Sequence, residues 1–133
     1  MQSITSLNGD RGRLGIALKQ LSPFVHRIIL LTQPPQLPVS GLRASIRSGS
    51  RPPFIEDLEE RTHRVELNEL VKRCKDEKVS VVDVGPLFSG KNGEVRFFDG
   101  NGKQLYQDQG HLSGVGAQVV KEALLKTMKN IAQ

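Results

Sequence analysis

Two short apolar runs constrain the fold of this chain more than any other feature. Val25–Thr32 contains the unbroken Ile28-Ile29-Leu30-Leu31, and the second run is Val79-Ser80-Val81-Val82-Asp83-Val84. Strands with no solvent-facing polar side are covered on both faces, the environment of a parallel sheet. Gln33-Pro34-Pro35 closes the first run and Gly85-Pro86 the second, since proline brings no donor to a ladder. Helical patterns alternate with these runs. Leu14, Ala17, Leu18 and Leu21 mark a short helix stopped at Ser22-Pro23. Leu67, Leu70, Val71 and Cys74 mark the face of a helix from about Phe54 to Lys75. A last helix, about Gly114 to Ile131, carries Val115, Val119, Val120, Ala123, Leu124, Met128 and Ile131 on one side. Residues 1–12 read as turn, punctuated by Asn8-Gly9-Asp10, and Glu94–Phe98 with Lys103–Tyr106 as a small hairpin.

The order is that of an α/β sandwich built on a parallel sheet. Two such strands are too few, because each needs neighbours on both edges. Residues 1–133 are therefore expected to form the C-terminal portion of one larger domain whose N-terminal strands are missing from this chain. Within it, 36–53 is expected to be a flexible basic loop rich in Pro, Gly, Ser and Arg.

Composition removes several function classes. No run approaches the roughly 18 apolar residues of a membrane helix, and Met1–Ser6 lacks the basic and apolar regions expected of a signal peptide. A single cysteine, Cys74, excludes an intrachain disulfide and a cysteine-based zinc site, and no metal or cofactor motif is present. The net charge of +5 includes Arg43, Arg47, Arg51, Lys121, Lys126 and Lys129. No aromatic is interleaved with those arginines for base stacking, so the charge reads as solvated surface, with no nucleic acid as partner. A basic adaptor for acidic polymers through the three arginines is a weaker alternative. By residues alone the chain is expected to be soluble and cytoplasmic.

One stretch carries chemistry: Leu105-Tyr106-Gln107-Asp108-Gln109-Gly110-His111-Leu112-Ser113-Gly114-Val115-Gly116-Ala117. A carboxylate three residues before a histidine can hold one imidazole nitrogen and leave the other free as a general base, as in a Ser-His-Asp system. Ser113, at the start of the last helix, reads as its N-cap. Ser89 sits in a turn without the strand–elbow–helix context of a nucleophile. Ser45, Ser48 and Ser50 fall in the basic loop, and His26 and His63 read as bystanders. No nucleophilic serine is therefore assigned within the chain.

The 105–117 block resembles the last motif block of SGNH/GDSL-type esterases and acyltransferases. More narrowly, it is similar to the SGNH domain fused to the C-terminus of bacterial type-three membrane O-acyltransferases. Ile28–Pro38 resembles that family's strand and proline-rich turn, Val79–Phe88 its Val-x-Asp strand, and Gly93–Tyr106 its glycine-rich hairpin. The resemblance implies a three-layer α/β/α flavodoxin-like fold. It also implies acyl transfer to or from hydroxyls of cell-surface polysaccharide, with His111 as general base and Asp108 as its orienting carboxylate. The family's Gly-Asp-Ser nucleophile and its oxyanion donors lie upstream of the matched region. Asn8 is the only candidate for an oxyanion donor, although the order Gly-x-Asn-Asp is absent. The implied partners are an acyl-ester or polysaccharide substrate, an upstream SGNH half and a membrane acyltransferase domain. The implied location is the periplasmic or cell-envelope face of a membrane protein, and no cofactor is implied. The alternative is a non-catalytic fragment or a glycan-binding module.

Overall fold

The computed structural model describes residues 4–38 and 53–132. Arg43, Arg47, Arg51 and the serines at 45, 48 and 50 lie outside the described residues, as does most of the expected basic loop. The element order is α1 (Ile4–Leu21), β1 (Ile28–Leu31), β2 (Phe54–Ile55), α2 (Leu58–Arg73), β3 (Val79–Val82), β4 (Glu94–Val95) and α3 (Gly114–Ala132). Short 3-10 turns at Ser22–Phe24, Gly85–Phe88 and Lys91–Gly93 join them.

The two apolar runs pair as expected. β1 and β3 are parallel, with Ile28 opposite Val79 and Leu31 opposite Val82. Backbone bonds from Ile28 N to Lys78 O (2.9 Å) and from Thr32 N to Val82 O (3.1 Å) frame the ladder. Covering is unequal, however. Val79 and Val82 are buried, whereas Ile28–Leu30 are half-buried and Leu31 is 40% exposed. β1 has one strand neighbour among the described residues, as does β3, and part of the β1 side-chain surface lies in solvent.

Three expectations are corrected. The first helix does not begin after a turn: α1 runs from Ile4, so position 8 lies within a helix rather than in a loop. Extending a helix through a poor former such as Gly9 costs only about 1 kcal/mol, far less than starting a new one. Next, Phe54 does not open α2. Phe54 and Ile55 form a strand antiparallel to Val95 and Glu94, with Phe54 buried and Ile55 exposed, and the helix starts at Leu58. Burying Phe54 against the Phe97 ring, centroids 5.2 Å apart, outweighs the helical pattern that follows. Last, the hairpin is shorter than expected: Phe98 pairs with Gln104, flanked by bonds from Leu105 N to Phe97 O (2.7 Å) and Asp99 N to Lys103 O (2.8 Å), whereas Glu94 and Val95 pair with β2. The Asp99 carboxylate shapes its turn by accepting from the backbone N–H groups of Asn101 and Lys103.

The core lies between the β2–β4 pair and α3: Leu37, Phe54, Phe88, Val95, Phe97, Leu105 and Tyr106, with Leu112, Val115, Val119 and Val120 packed against it. α3 begins where it does because Ser113 caps it. The Ser113 hydroxyl accepts from Gly116 N at 3.1 Å and donates to Gln104 O. Gly116 is required there, since an added Cβ would overlap the Leu105 carbonyl. These contacts fix the residues just before α3, which include His111.

Candidate active site

Tyr106 and Leu112 form an antiparallel bridge, and the chain between them folds into a closed turn. Gln107 N donates to His111 O at 2.8 Å and Asp108 N to the same oxygen at 3.4 Å. The Asp108 carboxylate then organises the tip. Its Oδ1 accepts from the backbone N–H of Gly110 (3.0 Å) and of His111 (2.8 Å). The same carboxylate meets His111 Nδ1 at 2.8 Å through Oδ1 and 3.0 Å through Oδ2. The hydrogen bond from His111 holds the Asp108 carboxyl below its ordinary value, assisted by the two backbone donors. The structure thus brings Asp108 and His111 together. With Nδ1 donating to Asp108, Nε2 is the proton-accepting nitrogen, and the His111 side chain is 81% exposed.

The serines stand elsewhere. Ser89 Oγ donates to Gly85 O at 2.8 Å and closes a 3-10 turn, and Ser113 serves the α3 cap. Neither is hydrogen-bonded to His111 among the described residues. His26 is exposed and His63 half-buried on α2. No group of three His, Cys, Asp or Glu side chains fit to hold a metal occurs among the described residues.

Several residues that sequence patterns did not single out tie this turn to the fold. The segment Gln33–Leu37 leaves β1 and crosses to the Asp108 turn. Asn68 on α2 pairs with Gln33 twice, accepting from its N–H and donating to its carbonyl, both at 2.9 Å. One turn earlier on α2, Arg64 makes a forked pair with Glu56, with Nη2 to Oε1 at 2.8 Å and Nε to Oε2 at 3.0 Å. Glu56 Oε2 also accepts from Gln36 N at 3.1 Å. On the far side, the Tyr106 hydroxyl donates to Pro35 O at 2.6 Å, and Leu37 N donates to Gln109 O at 3.0 Å. Burial drives the Tyr106 phenol far above its ordinary value, the Glu56 charge adding to the effect and Arg64 opposing it. Where β3 ends, Thr32 Oγ1 accepts from Val84 N and Gly85 N and donates to Asp83, which locks the ends of both parallel strands together. A cleft of about 260 Å³ opens there, between Pro35, Arg61, Arg64, Asp83, Gly85 and Glu94; His111 is not part of its wall.

Comparison with known protein families decides the relationship. The model of the SGNH domain (fused to AT3 domains) matches residues 5–126. The chain belongs to this family. The parallel pair within a mixed helix-and-strand fold is consistent with its α/β class. No match was found among curated proteins or among solved structures. No helix among the described residues is long and apolar enough to cross a membrane.

Proposed function

We propose that this SGNH chain carries the His/Asp side of an acyl-transfer site, with His111 as general base and Asp108 as its orienting carboxylate. The observation that carries the proposal is the 2.8 Å contact between His111 Nδ1 and Asp108 Oδ1, which leaves Nε2 open to solvent. A serine hydroxyl set against Nε2 gives up its proton as its oxygen attacks an ester carbonyl. The imidazolium, stabilised by Asp108, then protonates the departing alkoxide, leaving an acyl-serine. A sugar hydroxyl or water repeats the cycle in reverse: it yields its proton to Nε2, and the serine leaves with that proton. The acyl acceptor is proposed to be a hydroxyl of a cell-surface polysaccharide, and the parent a membrane acyltransferase acting at the cell envelope.

The nucleophile and the oxyanion donors are proposed to come from a serine-bearing half of the same domain. That half would add parallel strands to the outer edge of β1 and complete a three-layer α/β/α sandwich. The absence of a second strand beside β1 among the described residues and the 40% exposure of Leu31 support this placement. Asn8 lies inside α1.

The test is hydrolysis of a chromogenic acetate ester by residues 1–133, alone and together with the serine-bearing half. The expected result is no turnover alone and turnover in the assembly. His111→Ala should abolish it, and Asp108→Asn should lower kcat by about 10⁴-fold through the wrong tautomer. Full activity of the His111→Ala assembly would remove the general-base role and leave a non-catalytic glycan-binding module as the alternative.

A further inference from the structure

His111 and Asp108 are exposed, yet the residues around them are anchored from a distance. Starting from α2, the Glu56 carboxylate is held by both Nε and Nη2 of the Arg64 guanidinium, and Glu56 is only 4% exposed. Its Oε2 takes the Gln36 N–H, and the next residue, Leu37, gives its N–H to Gln109 O. Gln109 lies between Asp108 and His111. On the other flank the buried Tyr106 hydroxyl grips Pro35 O, and Tyr106 opens the same turn. Proline at 34 and 35 fixes φ in the crossing segment, which makes it a stiff spacer between these clasps.

We propose that Glu56 and Tyr106 are positioning residues for the Asp108–His111 pair, acting through the Gln33–Leu37 segment as a strap that indexes the exposed turn to helix α2. Neither residue touches His111. Glu56 sets where Gln36 and Leu37 run, and Leu37 and Pro35 set where Gln109 and Tyr106 lie. The Asp108 carboxylate is presented to Nδ1 only when both ends of the turn are held. This inference rests on the general-base role of His111 for its catalytic meaning, but its structural content stands without turnover.

The test reads the imidazole directly. Long-range ¹H–¹⁵N spectra of the full chain distinguish the two neutral tautomers of His111, whose signals are assigned by their loss in His111→Gln. The native ring is expected as the Nδ1–H form, its proton on Asp108. Tyr106→Phe keeps the ring in the core and removes only the hydroxyl, so it reports on the strap even if a Glu56 variant does not fold. It should shift His111 toward the Nε2–H form, and Glu56→Ala should do the same. In Glu56→Gln an amide oxygen at the Oε2 position still accepts from Gln36 N and Arg64 Nε. Thermal stability should fall in that variant while the His111 signals stay native, an outcome that a purely structural role for the ion pair does not give. Native His111 signals in a folded Tyr106→Phe chain overturn the proposal. So does a Glu56→Gln chain that is folded but shifted as far as Glu56→Ala. An assembled enzyme that keeps its activity in His111→Ala would instead sink the general-base role and leave the strap result intact.

Discussion

Gly116 sits in the first turn of α3 with the Leu105 carbonyl against its Cα, and alanine there sets two effects in opposition. Helix propensity favours alanine over glycine by about 1 kcal/mol. The new methyl would overlap backbone rather than a movable side chain, and forced overpacking costs about 1–3 kcal/mol or more. Gly116→Ala is therefore expected to lower the urea midpoint, and an unchanged or higher midpoint would count against the close approach. Tyr106 gives a pH signature. Its phenol is raised in the fold from an ordinary value of 10.0, so the unfolded chain loses this proton first. The stabilisation is complete below that value and is lost as pH rises above it. Lys72, raised by its hydrogen bond to Glu69, acts in the same sense. The urea midpoint should thus fall between about pH 9 and about pH 11, and Tyr106→Phe should flatten the fall. The Asp108–His111 pair was legible in the sequence because its partners lie three positions apart in one turn. The Tyr106–Pro35 bond spans 71 positions and the Asn68–Gln33 bonds 35, and no local pattern marks either.

Elements were legible where they are long and periodic. The last helix was expected to end at Ile131 and ends at Ala132, because one apolar stripe runs its whole length against the core. β2 is two residues long, too short to show a period, and it exists because Val95 and Phe97 offer Phe54 a partner surface. α2 shows how an apolar stripe can mislead about what an element does. Leu67, Leu70 and Val71 are only half-buried, and the buried side chain of the helix is Asn68. Its amide pairs with both backbone groups of Gln33, as a neighbouring strand would. Asn68→Ala removes both bonds to the part-buried Gln33 backbone and is expected to destabilise the chain by about 1–3 kcal/mol. Asn68→Leu, which fills the space but restores neither bond, should do no better. A leucine variant as stable as the native chain would show that packing, not the amide, holds α2 to the strap.

At the scale of the whole molecule, α1, the turn after it and β1 leave apolar side chains in solvent. Phe24 is 85% exposed, Ile16 59%, Leu21 51% and Leu31 40%, all on α1, the turn after it, or β1. Among the described residues the parallel sheet has two strands, each with one neighbour; such a sheet is rarely stable by itself, and parallel sheets of α/β proteins are covered on both faces. Ladder geometry turns this into a residue-level test. Ile28 N and Thr32 N donate toward β3. With a period of two, the amide of Leu30 shares that side, whereas those of Ile29 and Leu31 point to the open edge. In residues 1–133 alone, the Ile29 and Leu31 amides should exchange with solvent faster than those of Ile28, Leu30 and Thr32. Adding the serine-bearing half should slow Ile29 and Leu31 selectively, and at about 100 times its Kd should stabilise the chain by about 2.7 kcal/mol. If all five amides slow together, the partner is stabilising the chain globally without extending its sheet. If Ile29 and Leu31 are already protected in the isolated chain, the β1 edge is filled by some other segment, and the proposed serine would have to reach His111 by a different route.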